Sequence, residues 1–149
     1  MPFVSTSRKK LGAILSAVDL KSHEIIYDLG CGKANLLIYA NQNFGCQGVG
    51  YELTLWPYVW AKVKIYISGA NVKVFRKNFF KADLEKADVV YCYLFPEVMA
   101  KLEPKFNLEL KSGSRVVSYA FKLPNKVPSK VVITNNDNNE LGKIYVYQY

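Results

Sequence analysis

Between Glu24 and Phe121 the chain alternates short runs rich in β-branched and aromatic residues with helical stretches, and nothing else in it constrains the fold as strongly. The runs "EIIYDL" (24–29), "CQGVGYE" (46–52), "VKVFRK" (72–77), "DVVYCYLF" (88–95) and "SRVVSYAF" (114–121) read as strands. Between them lie three stretches that read as helices: "KANLLIYANQN", "TLWPYVWAKVKIYISG" and "PEVMAKLEPKF". The second has Thr54 as N-cap, Pro57 in its first turn and Gly69 just past its end. Strand–helix–strand units of this kind build a parallel sheet. The nearly continuous apolar character of "DVVYCYLF" suits a strand covered on both faces. A further helix is expected from about Ser7 to Val18, capped by Ser5, Thr6 or Ser7. The polar run "TNNDNNELG" (134–142) separates "KVVI" from "KIYVYQY" and reads as the turn of a late hairpin. The expected fold is α/β: a Rossmann-like, doubly wound, seven-stranded sheet, mostly parallel, with a C-terminal antiparallel hairpin. One domain is expected over 1–149, with an N-terminal segment and helix (1–20), a core (21–122) and the hairpin (123–149).

Composition narrows the function classes. A chain of 149 residues, half of them apolar, supports one packed core. No apolar run approaches the roughly 18 residues of a spanning helix, and "MPFVSTSRKKLGAIL" lacks the order of a signal peptide. Cys31, Cys46 and Cys92 form neither a metal spacing nor an even disulfide framework. The expectation is a cytoplasmic monomer with free thiols and no metal. His23 is the only histidine, which excludes chemistry needing two. The net charge of +8 would suit an anionic partner, but the lysines are scattered rather than massed in one block.

In an open α/β sheet, ligands sit beyond the carboxyl ends of the strands, where strand order reverses. That rule points to Asp28–Gly32, Tyr51–Glu52, Asn78–Phe79 and Tyr93–Glu97. Gly30 and Gly32 follow the first strand, where a missing Cβ lets a ligand approach the backbone and the next helix offers unpaired N–H groups. Glu52 ends the second strand, about 20 residues further on, where an acid receives ribose hydroxyls. A dinucleotide fingerprint would need glycine at Asn35, and no phosphate-binding G-x-x-x-x-G-K-[ST] loop is present. Asp28, two residues before Gly30, repels a pyrophosphate but suits a ligand bearing an ammonium and a sulfonium. S-adenosylmethionine carries both.

The ordered set "YDLGCG", "GVGYEL", "RKNFFKADL" and "SRVVSYAF", together with the "PEVM" segment and the opening "PFVSTS", resembles the class I S-adenosylmethionine-dependent methyltransferases. Within them it is most similar to the small seven-strand protein-lysine methyltransferases, the group of the archaeal broad-specificity enzyme and the mitochondrial ATP-synthase c-subunit enzyme. The resemblance runs over roughly residues 2 to 121, and more weakly beyond. It implies that Asp28, Gly30 and Gly32 line the methionine end of the cofactor and that Glu52 takes the ribose hydroxyls. It further implies that Leu53 contacts adenine, that Asn78 bonds the adenine amino group beside Phe79, and that Phe3 to Thr6 close over the site. The chain departs from the family at Lys33, where an acid is usual, at Ala34, where glycine is usual, and at Asn78, often Asp.

The implied activity is methyl transfer to a deprotonated lysine of a protein substrate. Tyr93, Leu94, Phe95 and Pro96 supply an apolar, aromatic wall for the acceptor, and Glu97 is the nearest carboxylate for orienting its amine. Tyr91 and Tyr119 are expected in the core. Two other readings compete: a nucleic-acid methyltransferase and a non-catalytic cofactor-binding remnant. Against the first, the chain has "LFPEV" after strand four instead of an Asn or Asp followed by two prolines and an aromatic, and Cys92 lies between tyrosines, not beside a proline. Trp56, Trp60 and Tyr66 interleave with Lys62 and Lys64. These could touch a membrane interface or a hydrophobic protein, and the expectation is a helix packed on the sheet.

Overall fold

The computed structural model describes residues 6–134 and 142–149. Phe3, and most of the polar run expected as the late turn, lie outside them. Helix α1 (Arg8–Ala17) is capped by Ser7, whose side chain accepts from the Lys10 N–H. Then come β1 (Ile25–Leu29), α2 (Asn35–Phe44), β2 (Gln47–Tyr51), α3 (Leu55–Ser68) and β3 (Val72–Phe75). A short 3-10 helix (Phe79–Lys81), β4 (Val89–Cys92), α4 (Pro96–Glu109), β5 (Arg115–Tyr119), β6 (Lys130–Ile133) and β7 (Lys143–Gln148) complete the order. The described residues form a seven-stranded sheet in the order β3-β2-β1-β4-β5-β7-β6. The five N-terminal strands are parallel, and β7 runs antiparallel between β5 and β6. This is the expected mixed sheet. Its order reverses at β1, which places the switch point between β1 and β4.

Alternating residues of the central strands feed two apolar cores. Ile26, Val89, Tyr91 and Val117 face Leu11, Ile14, Leu37 and Ala61 of α1, α2 and α3. Leu29, Val90, Cys92 and Val116 face Met99, Leu102 and Phe106 of α4. Each such fully buried aliphatic side chain contributes about 1.5–3 kcal/mol. At the amino end of the sheet, the Arg115 guanidinium donates to both oxygens of Glu24 (2.9 and 2.7 Å), tying β5 to the residue that enters β1.

Three local features position the carboxyl edge. At Gly50 a Cβ would lie 2.7 Å from Cys31 Sγ and 2.8 Å from Leu37 Cδ1, so only glycine lets β2 pass so close beneath the β1–α2 loop. The loop is hooked to β2 by the N–H groups of Gly30 and Cys31, which both donate to the Tyr51 carbonyl at 3.0 Å. Its last residue, Ala34, is left-handed (φ 63°) and fully buried, a backbone conformation that glycine adopts with less strain.

Two expectations change in detail. Strand β4 ends at Cys92, so Tyr93, Leu94 and Phe95 leave the ladder before α4 starts at Pro96. Helix α3 packs on the sheet side, but not through its tryptophans. Ala61 is its one fully buried residue, Tyr58 and Ile65 lean on the core, and Trp56 and Tyr66 are 77% and 89% exposed.

Candidate active site

The carboxyl ends of β1, β2, β4 and β5 surround a cavity of about 500 Å³. Asp28 forms its floor. The residue is 4% exposed because β1 is the central strand and is flanked by β2 and β4 along its length. Burial, reinforced by the Glu52 charge, pushes the Asp28 carboxyl up to about 8. Both influences oppose ionisation, and a positively charged ligand group beside the carboxyl would counter them.

Glu52 stands beside it with a different task. Its Oε2 accepts from the Gly32 N–H at 2.9 Å and its Oε1 from the Thr54 N–H at 3.0 Å. It therefore ties the β1–α2 loop to the start of α3, and each oxygen keeps a second lone pair for a ligand hydroxyl. Gly30, at φ 94°, turns the chain at the cavity edge, where a Cβ would find nothing nearer than Leu94 Cδ2 at 3.8 Å. A ligand can thus approach the backbone directly. Asn78 caps the 3-10 helix through an Oδ1 that accepts from the Phe80 N–H at 3.0 Å, and Leu53, Phe79 and Phe80 form an apolar rim around it.

Across the cavity, Tyr93, Phe95 and Phe121 make an aromatic wall. Tyr93 stacks on Phe121 with ring centres 6.4 Å apart, and Phe95 meets Phe121 edge-on at 5.9 Å. Tyr119 braces Tyr93 from behind at 5.0 Å and is buried, as expected of a core residue. Tyr91 is buried too, yet it borders the cavity beside Asp28. Burial raises its phenol well above the ordinary value and the Asp28 charge adds to this, against a hydrogen bond with Thr6 that lowers it.

Of the residues singled out in the sequence, Thr6, Asp28, Gly30, Glu52, Leu53, Asn78, Phe79, Tyr93 and Phe95 line this one cavity. Gly32 reaches it through its bond to Glu52. Pro96 and Glu97 do not line it; they form the exposed first turn of α4, where an acid favours the helix dipole. Sequence reasoning missed Phe121 and Lys77. The rule that ligands lie beyond strand ends would have found Phe121, two residues past β5, and Lys77, adjacent to Asn78. Helix α2 starts after Ala34 without a side-chain cap. Lys64 bonds Asn35 at the start of that helix, and its ammonium is shifted downward by burial and by the Lys33 charge.

The donor set fits a particular ligand. A carboxyl with no cation beside it among the described residues suits an ammonium, an acid with spare lone pairs suits vicinal hydroxyls, and an apolar rim with one amide suits a planar base. Comparison with known proteins agrees. Residues 28–130 match the model of the ANTKMT methyltransferase domain. A protein-lysine N-methyltransferase of Saccharolobus islandicus (strain REY15A) is 33% identical over 99% of this chain and 92% of its own length. The adenine nucleotide translocase lysine N-methyltransferase of Mus musculus is 32% identical over 92% of this chain and 60% of its own length. Among solved structures, an RNA methyltransferase from Salinibacter ruber in complex with S-adenosyl-L-homocysteine superposes with a TM-score of 0.89 at 28% identity. The match covers 97% of this chain and 93% of that one.

Proposed function

The chain belongs to the ANTKMT methyltransferase domain family, and from that premise we propose that it transfers a methyl group from S-adenosylmethionine to the side-chain amine of a protein lysine. The observation that carries this reading is one cavity holding Asp28 and Glu52 at one side and the Tyr93–Phe95–Phe121 wall at the other. S-adenosylmethionine, when bound, supplies a methyl group on a sulfonium, ready for in-line displacement. Asp28 holds the ammonium, Glu52 the ribose hydroxyls, and the second lone pair of Asn78 Oδ1 the adenine amino group. Leu53 and Phe79 flank the base, and Thr6, bonded to Tyr91, borders the site on its other side. Tyr93, Phe95 and Phe121 enclose the alkyl chain of the acceptor and exclude water from its tip. Glu97 serves its helix and is left outside the reacting set.

A free lysine has a pKa of about 10.4 and must lose its proton before it can attack. The acceptor wall holds no carboxylate or histidine to take that proton, so a low-dielectric passage does the work by disfavouring the ammonium. Methyl transfer at subsaturating acceptor should therefore rise as pH goes from about 7 to about 9, close to tenfold per unit where the acceptor's neutral fraction limits the rate. A flat initial-rate profile across that range would refute proton loss as the limiting requirement.

The deciding assay incubates the protein with labelled S-adenosylmethionine and a cell extract, then digests with protease or nuclease. A label released by protease and found on lysine is the expected result. The RNA-methyltransferase neighbour supports a second reading, an RNA acceptor, together with the net charge of +8. Label that survives protease and is lost with nuclease would establish that reading instead.

The loop departures tune the site without closing it. Lys33→Asp with Ala34→Gly restores an acid near the α2 N-terminus and a residue at ease in the left-handed region. Calorimetric titration with S-adenosylmethionine should give equal or tighter binding. A large loss would mean that Lys33 itself contacts the cofactor.

A further inference from the structure

Helix α3 presents an apolar stripe to solvent at the spacing of a buried helix face. Trp56, Val59, Trp60, Val63 and Ile67 follow i, i+3, i+4, i+7 and i+11, and Trp60 and Ile67 are 52% and 77% exposed. The opposite face of the helix already serves the core through Ala61 and Ile65. Amphipathicity of the ordinary kind would have made this outer face polar, and apolar surface left in water on this scale marks an interaction site.

The charge around the stripe is one-signed. From Leu53 to Ala82 there is no Asp or Glu, while Lys62, Lys64, Lys73, Arg76, Lys77 and Lys81 supply six of the chain's 20 cationic side chains. Arg76 is fixed beside the stripe's start by donating from Nε to the Leu53 carbonyl at 3.2 Å. Leu53, Pro57, Lys77 and Phe80 belong at once to this surface and to the lining of the cavity, so the patch runs up to the cavity mouth.

We propose that this face of α3 and the adjoining basic edge dock on the surface of a membrane containing anionic lipid, with the cavity opening beside the bilayer. Tryptophan and tyrosine settle at the headgroup level, the aliphatic residues enter the acyl boundary, and the cations meet lipid phosphates. Among the described residues no helix is long and apolar enough to cross, so the contact is peripheral. A second copy of the chain fits the charge poorly, because a two-fold contact through this face sets Lys62 and Arg76 against their own counterparts. Nucleic acid would use the cations but has no need of Val59, Val63 and Ile67. The proposal does not depend on which acceptor the enzyme methylates.

Both tryptophans of the chain, Trp56 and Trp60, lie on the stripe, so intrinsic fluorescence reports on it directly. The full chain is mixed with vesicles of phosphatidylcholine alone or of phosphatidylcholine with phosphatidylglycerol, and pelleting and emission are followed. The expected result is pelleting and a blue shift with the anionic vesicles only, reversed by high salt. Trp60→Ser with Ile67→Ser should lower the partition roughly tenfold or more, since both side chains are exposed in the free protein. These residues lie outside the cavity, so binding of S-adenosylmethionine by the double variant should match wild type and establish that it is folded. Absence of pelleting and of any shift would overturn the proposal. So would vesicle binding that the double variant retains in full, or a concentration-dependent dimer that the same variant abolishes.

Discussion

Asp28→Asn should make the empty protein more stable and nearly unable to bind S-adenosylmethionine. The carboxyl is buried, and the folded chain raises it from an ordinary value near 3.8 to about 8. Between those values the native state holds a proton that the unfolded chain has lost. Its contribution to stability is therefore fully present below about 3.8, falls as pH rises through the window, and is gone above about 8. At about 1.4 kcal/mol per unit, the loss has an upper limit of about 6 kcal/mol. Asparagine removes it but leaves an amide to bury, so a net gain of about 1–3 kcal/mol is expected near pH 7.5. Thermal melts should show wild type weakening from pH 5 to 8 more steeply than the variant. Titration calorimetry should show affinity for S-adenosylmethionine down by about a hundredfold or more, because a buried ammonium loses its counter-charge. Wild-type binding should also release a proton near neutral pH, detectable as a dependence of the heat on the buffer's ionisation enthalpy. A variant that melts lower than wild type, or binds as tightly, would contradict this account of the cavity floor.

Glu52→Ala is expected to lose cofactor affinity by two routes at once. On the proposed reading the carboxylate would offer its spare lone pairs to two ribose hydroxyls, and charged hydrogen bonds of this kind are worth about 1.5–3 kcal/mol each. It also accepts from the Gly32 and Thr54 N–H groups, so its removal frees the β1–α2 loop from the start of α3. The sum corresponds to a weakening of at least about a hundredfold. Glu52→Gln keeps one acceptor and should bind with intermediate affinity. Amide hydrogen exchange separates the two routes: the Gly32 and Thr54 amides should exchange faster in the alanine variant even without ligand. Unchanged affinity in Glu52→Ala would remove Glu52 from the ribose site, and unchanged exchange would remove its role in holding the loop.

Much of this site was legible in the chain. The spacing from Asp28 to Gly30, and from the glycines to Glu52, is local and bears on backbone shape and charge, so it survives translation into three dimensions. What was not legible depended on neighbours. "DVVYCYLF" is apolar to its end, yet only Val89–Cys92 find partner strands on both sides; Tyr93 and Phe95 go on to wall a cavity. An apolar run looks alike in either setting. Glu97 stands two residues past Phe95, close enough in sequence to be the wall's carboxylate, but the start of α4 at Pro96 puts it in the exposed first turn. Phe121 joins the wall only because β5 lies next to β4 and leaves the sheet at the same edge.

By itself the sequence determined the seven-stranded α/β frame, the glycine loop after β1 and the acid at the end of β2, because periodicity, glycine and charge act within a few residues of where they are written. Only the tertiary structure decided which side of α3 faces the core. That helix is apolar on two opposite sides, with Lys62 and Lys64 between them, so no pattern along it distinguishes inside from outside. Ala61, Tyr58 and Ile65 meet the core from one side, and the edge position of β3 leaves Trp56 and Trp60 exposed on the other. The raised Asp28 carboxyl has the same origin: an aspartate becomes a buried acid only when strands far apart in sequence close over both of its sides.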